Sequence, residues 1–142
     1  MKTQMLQNGT VIDHLPAGTA LHCLDVLRKS NIGEQAMIIF INVPSGEMGK
    51  KDMIKMQNFY LDKESATYLS LMAPKITINI IHDNVVTEKI KPEIPSEIRG
   101  IIKCVNSRCI TNTEGYQSEY DVKTRLPVVL KCKYCEFEFT PG

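Results

Sequence analysis

The chain has almost no net charge. Its 17 Lys and Arg face 16 Asp and Glu, a formal charge of +1, so any electrostatic site must be local and no overall field draws the protein to nucleic acid or a membrane. No apolar stretch is long enough to cross a bilayer. The opening MKTQMLQNGT has no apolar segment of the secretory type, and a cytoplasmic location is expected. Internal repeats and low-complexity tracts are missing as well. So are the G-x-S-x-G, Walker A and Rossmann patterns. Gly46-Glu47-Met48-Gly49 is not G-x-G-x-x-G, and His14, His22 and His82 lack metal-ligand spacing. Asp13 and His14 are neighbours, which on a regular strand sends them to opposite faces and speaks against an acid–base pair. No enzyme is expected. What remains is an ordinary globular composition, 43% hydrophobic and 23% charged over 142 residues, enough for one medium domain or two small ones.

The first part of the chain reads as an α+β unit. Residues 10–13 are β-prone. Residues 17–29 carry Ala20, Leu21, Leu24 and Leu27 at helical spacing, with Ser30-Asn31-Ile32-Gly33 as the stop. Residues 37–43 are a nearly continuous β-branched apolar run, the pattern of a buried strand. After the turn-rich 44–49 segment, residues 51–58 alternate as a strand would, with a helix as the alternative. A second helix is predicted over 62–73, with Asp62 as N-cap and Pro74 disfavouring its continuation. Residues 75–81 and 85–90 read as strands around a His82-Asp83-Asn84 turn. The order βαββαβ plus a trailing strand predicts a ferredoxin-like domain, an antiparallel sheet with two helices on one face, whose edges or open face are free for a ligand or partner.

Pro92 and Pro95 mark a composition break. It divides the chain into expected domains 1–95 and 96–142. The second is too small to fold on apolar burial alone and needs a staple. Four cysteines supply one. Cys104 and Cys109 form C-x4-C, and Cys132 and Cys135 form C-x2-C. Two such knuckles complete a tetrahedral four-thiolate site for one structural Zn2+, in a small all-β zinc-ribbon-like domain. Zinc is favoured over an iron–sulfur cluster by the spacing. Four thiolates leave a charge of about −2 on the site, which Lys103, Lys131 and Lys133 could offset. Four protein ligands leave no open position for catalysis. The fifth cysteine, Cys23, falls inside the first helix and reads as a small buried apolar residue.

A zinc ribbon can bind nucleic acid, and that is the alternative function. Here Glu114, Glu119, Asp121, Glu136 and Glu138 balance the basic residues, while Tyr134, Phe137 and Phe139 read as core. A protein-docking module is favoured because the footprint of phosphate binding is absent. In the first domain Lys51, Lys55, Lys89 and Lys91 could meet a polyphosphate, or simply form a solvated face.

Four segments carry a resemblance: Gly9-Thr10-Val11-Ile12-Asp13-His14-Leu15-Pro16-Ala17-Gly18, Asn42-Val43-Pro44-Ser45-Gly46-Glu47-Met48-Gly49-Lys50-Lys51-Asp52, Cys104-Val105-Asn106-Ser107-Arg108-Cys109-Ile110, and Leu130-Lys131-Cys132-Lys133-Tyr134-Cys135. In sequence and order they closely resemble the regulatory chain of aspartate carbamoyltransferase. The resemblance implies a non-catalytic subunit of pyrimidine biosynthesis. Its first domain would bind nucleotide effectors and pair in a regulatory homodimer, and its zinc domain would dock on the catalytic chain. CTP, often with UTP, would inhibit and ATP activate. No nucleic acid and no membrane enter that picture. Carried over position by position, the effector site would use Asp13 on the base or ribose side and His14 at a phosphate. Lys55 would bridge ribose and phosphate, and Lys89 would meet the phosphates. Asn79, Ile81 and Val86 would frame base and ribose, with Gln4, Met5 and Leu6 against the base. Gln4 and Asn84 depart from the best-known members, which carry an acidic residue and a tyrosine there.

Overall fold

The computed structural model describes residues 7–28 and 35–141. Gln4, Met5, Leu6 and the expected helix stop at Ser30-Asn31-Ile32-Gly33 lie outside the described residues.

The first seven elements are β1 (Gly9–Pro16), α1 (Ala20–Arg28), β2 (Met37–Ser45), β3 (Gly49–Gln57), α2 (Lys63–Met72), β4 (Thr77–His82) and β5 (Val85–Ile90). Their strands form one sheet in the order β2-β3-β1-β4-β5, with every adjacent pair antiparallel. Two split βαβ units interleave to put β1 at the centre, which is the ferredoxin-like arrangement, and β5 extends one edge. Residues 51–58 resolve to a strand, not a helix. Helix α2 starts where Asp62 accepts the Ser65 N–H at 2.6 Å, satisfying one of the unpaired donors of the first turn. Asp83 and Asn84, with φ of 51° and 66°, make the two-residue β4–β5 turn in the left-handed geometry that matches strand twist.

Alternation sorts the side chains. Ile12, Leu15, Ile54 and Met56 meet Ala20, Cys23, Leu27, Leu69 and Ala73 in one core between sheet and helices. The buried stripe of α1 is thus Ala20, Cys23 and Leu27, while Leu21, expected on that stripe, is 59% exposed. The expectation of a buried strand over 37–43 is corrected too. β2 is an edge strand with one face open, so only alternate residues such as Ile39 reach the core, and Ile38 and Ile41 remain exposed. A continuous apolar run signals cover on both faces, whether the chain itself or a partner provides it.

Two bulges bracket β3. In β1 the register with β3 slips between Ile12 and Leu15, and in β2 between Phe40 and Val43. His14 and Asn42 sit at the slips with φ of 63° and 60°, a region that residues with a Cβ rarely occupy.

The second sheet has β6 (Glu97–Arg99), β7 (Glu119–Arg125), β8 (Val128–Cys132) and β9 (Glu138–Phe139) in sequential order, with a one-turn helix α3 (Ile110–Thr113) beside it. Its core is Ile98, Ile102, Tyr120, Val128 and Leu130 with three of the paired cysteines. Tyr120 is fully buried, and its hydroxyl donates to the Ile102 carbonyl at 2.9 Å. Phe139 meets the Tyr120 ring edge-on at 5.6 Å. Leu71 of α2 is buried in this same cluster, with Tyr68 packed against it. The C-terminal segment therefore borrows a wall from the first helix layer and is not held by cysteines alone.

Candidate functional site

The four paired cysteines converge. Their sulfurs all lie within 4.8 Å of one another, with Cys104–Cys135 and Cys109–Cys132 each at 3.7 Å. A disulfide would bring a pair to about 2.05 Å. Tetrahedral thiolates about 2.3 Å from zinc stand roughly 3.8 Å apart, so the spacing is that of a metal cage. Local turns build it. In the first knuckle the Cys109 N–H donates to the Asn106 carbonyl. The Asn112 amide donates to the carbonyls of Cys104 and Asn106, both at 2.8 Å. In the second, Cys132 N–H donates to Phe137 O and Glu136 N–H to Cys132 O, each at 2.9 Å. Glu136 takes a φ of 63° to close that turn.

The electrostatics call for a cation. Burial pushes the Cys104 thiol up to about 12 and raises Cys132 as well. Burial acts the same way on Cys135, but the Phe137 backbone, the Asn106 side chain and the adjacent sulfurs outweigh it and bring that thiol down to about 7. Thr111 donates its hydroxyl to the Cys109 sulfur at 3.1 Å. A divalent ion removes the mutual repulsion that keeps such a cluster protonated. Lys133 was expected to offset the thiolate charge. Instead its ammonium pairs with Glu97 at 2.7 Å and Asp121 at 3.6 Å, fastening the second knuckle to β6 and β7.

The second constellation lies on the sheet face away from the helices. Cross-strand register aligns Ile38, Lys55, Val11, Asn79 and Lys89 in one row across five strands. Ile81 and Val86 are paired one step along, and Asp13 is paired with Thr77 one step the other way. Lys55 is only 5% exposed. Burial pulls its ammonium below the usual lysine range, and Asp13 draws it partway back. The Phe40 ring lies 5.4 Å from the nitrogen, a favourable cation–π placement. Among the described residues no carboxylate forms an ion pair with it. Asp13 pairs instead with Lys51 at 2.8 Å.

The bulge in β1 overturns the expectation that Asp13 and His14 point apart. The extra residue breaks the alternation, and His14 Nδ1 reaches Thr77 Oγ1 at 3.1 Å, beside Asp13. Its other nitrogen stands 3.8 Å from Glu47 of the β2–β3 turn. His14, Lys51, Lys55 and Lys89 thus bring basic groups to the face that carries Asn79. No described helix is long and apolar enough to cross a membrane.

The family model described as the aspartate carbamoyltransferase regulatory chain, allosteric domain, matches residues 1–93, and the metal binding domain of the same chain matches residues 96–141. The chain belongs to the aspartate carbamoyltransferase regulatory chain family. Relatives named as that regulatory chain include one from Methanocaldococcus jannaschii, 44% identical over 96% of this chain and 90% of its own length. Another from Saccharolobus solfataricus is 44% identical over 95% and 86%, and one from Thermococcus kodakarensis is 40% identical over 96% and 90%. The family's two parts are allosteric and metal-binding, so the protein is a regulatory chain and not the catalytic one. The four-cysteine cage is accordingly the seat of one structural zinc.

Within this regulatory chain, several working residues escaped sequence reasoning. Asn106 and Asn112 shape the first knuckle. Their residue type favours turns, but their partners are visible only in three dimensions. Asp52, which accepts three backbone N–H bonds, is another. Tyr134 and Phe137, expected in the core, are instead 44% and 49% exposed, and only Phe139 of the three aromatics packs inward. Tyr134 stacks obliquely on exposed Tyr116, with ring centres 6.4 Å apart.

Proposed function

We propose that this regulatory chain binds nucleoside triphosphates on the open face of its first sheet and transmits their effect to aspartate carbamoyltransferase catalytic chains through the zinc unit. The carrying observation is Lys55, a buried lysine without an ion-pair partner among the described residues, set in a row with Asn79 and Lys89. A buried lone charge is costly. A polyphosphate anion supplies the missing counter-charge, and Lys89 at the rim extends the reach for phosphate oxygens. Asp13, Asn79, Ile81 and Val86 frame base and ribose. Gln4, Met5 and Leu6 complete the base side as the family resemblance implies. CTP and UTP are the inhibitors and ATP the activator in this reading.

The chain divides at residues 95 and 96 into a nucleotide domain and a zinc domain. The regulatory homodimer forms through β2, whose outer edge carries exposed Ile38 and Ile41. An apolar edge strand left uncovered invites self-pairing. The catalytic chain docks on the knuckle surface, where Tyr116, Tyr134, Phe137, Val105 and Ile110 are exposed; aromatic-rich patches of this kind are typical binding cores. The four thiols belong in a reducing cytoplasm. The nucleic-acid alternative is weakened by Lys133, whose charge is taken up by Glu97 and Asp121.

The decisive experiment titrates CTP, UTP and ATP into the reconstituted holoenzyme at fixed aspartate. The expected result is opposed shifts in aspartate response by pyrimidine and purine nucleotides. No change with any of the three would sink the regulatory reading.

A further inference from the structure

Asp52 is a fully buried carboxylate in β3, and its two oxygens reach two separate parts of the fold. Oδ2 accepts the N–H groups of Gly18 at 2.8 Å and Ala20 at 2.9 Å, where β1 turns into α1. Oδ1 accepts the N–H of Asn42 at 2.9 Å, at the bulge of β2. Of the two left-handed bulge residues, Asn42 is thus held by this side chain directly, while His14 stands one residue before Leu15, which pairs with Asp52 across β1 and β3. The neighbouring Lys51 turns to the opposite face and pairs with Asp13, whose carboxylate also accepts the His14 N–H at 2.6 Å. Two consecutive residues of β3 thus hold the anion-facing bulge from one side and the outer-strand bulge from the other.

We infer that Asp52 is a positioning residue that links the anion face to the β2 edge, so that occupancy of one changes the pairing strength of the other. This rests on the nucleotide and dimer readings above. A ligand drawing on His14 or Lys51 perturbs the β1 bulge. Gly18 and Ala20 follow His14 within a few residues, and they share one rigid acceptor with Asn42. Buried and holding three N–H donors, that carboxylate has no solvent to absorb a shift, so the bonds must rearrange together. The link is reciprocal: dimer formation through β2 must alter nucleotide affinity by the factor with which nucleotide alters dimer formation.

The test uses the full chain loaded with zinc. Sedimentation gives the dimer dissociation constant with and without CTP, for the natural chain and for Asp52→Asn, which keeps one oxygen acceptor and replaces the other with a donor. A structural role alone would weaken both binding events and leave their linkage intact. The expected result is a CTP-dependent change of about fivefold or more in the natural chain. It should collapse to below about twofold in a variant that still dimerises and binds CTP. A variant retaining the full change overturns the inference. If Asp52→Asn does not fold, amide hydrogen exchange on the natural chain decides. CTP must alter protection at Gly18, Ala20 and Asn42 together, and a change at the first two without Asn42 overturns the link. A natural chain that binds CTP and dimerises without linkage also refutes it. A natural chain that binds no CTP refutes the nucleotide site itself, so the two failures are distinct.

Discussion

Cys109 and Cys132, 23 positions apart, hold their sulfurs 3.7 Å from each other in the buried interior of the second sheet unit. That separation fits thiolates sharing an ion; without one, burial keeps Cys104 and Cys132 as protonated thiols. Cys109→Ala is expected to lose bound zinc and melt the second unit, because zinc supplies the larger part of the folding free energy of such modules, on the order of 10 kcal/mol. Metal content and amide exchange over residues 96–141 check this. Acid should do the same more gradually. Burial holds Cys104 near 12 and Cys132 above its usual range, so zinc must expel protons to bind. Apparent zinc affinity therefore rises with pH, and a competition titration between about pH 6 and 8 should show a steep positive slope. A flat profile would mean that the thiols are already ionised without the metal.

Lys55→Met should make the unliganded chain more stable, by about 1 kcal/mol, because it removes a desolvated charge and keeps the bulk of the side chain. The same change should weaken CTP binding at least tenfold. The pH dependence has a definite sign. The folded-state pKa of Lys55 is lowered from 10.5, so between that lowered value and 10.5 the unfolded chain holds more protons. Raising pH through this window therefore stabilises the natural chain, and its deficit against Lys55→Met should shrink. Thermal melts of both proteins across the alkaline range measure it.

Ile41→Lys places a charge on the exposed outer strand. Charged edge residues discourage strand pairing, so the dimer dissociation constant should rise by roughly tenfold or more. Zinc content should stay at one per chain. A dimer of undiminished strength would move the interface away from β2.

Phe137→Asp alters an exposed ring while leaving the backbone carbonyl that accepts from Cys132. Zinc should be retained and the isolated chain should melt normally. Association with catalytic chains should fall by one to two orders of magnitude, in line with loss of a central aromatic anchor of about 2 kcal/mol. Pull-down with purified catalytic chains distinguishes this from loss of the metal.

Much of this architecture is legible in the residues, because short-range signals dominate it. Asp62 before an apolar helix, Asp83-Asn84 between β-branched runs, and paired cysteines in a proline-bounded tail each have a local physical cause. What escaped reading depends on distant contacts. The bulge at His14 shifts a side chain from one face to the other, and no pattern within 10–16 announces it. The edge position of β2 follows from sheet order, which an apolar run cannot disclose. Nothing in the sequence around Asp52 marks it as buried, yet three backbone donors from the β1–α1 connection and β2 close around it. The metal ligands were legible, while the asparagines that aim them were not.

Leu71 and Tyr68 sit on α2, one face of which closes the first core while these two side chains help fill the second. A single helix is thus a party wall. Cutting the chain at the proline-rich junction would leave a wet, greasy stripe on one fragment and a roofless core on the other. The two halves can therefore be inherited together more easily than they can be traded, and a methyl group added at Leu71 would crowd the second core from a helix that Leu69 anchors in the first.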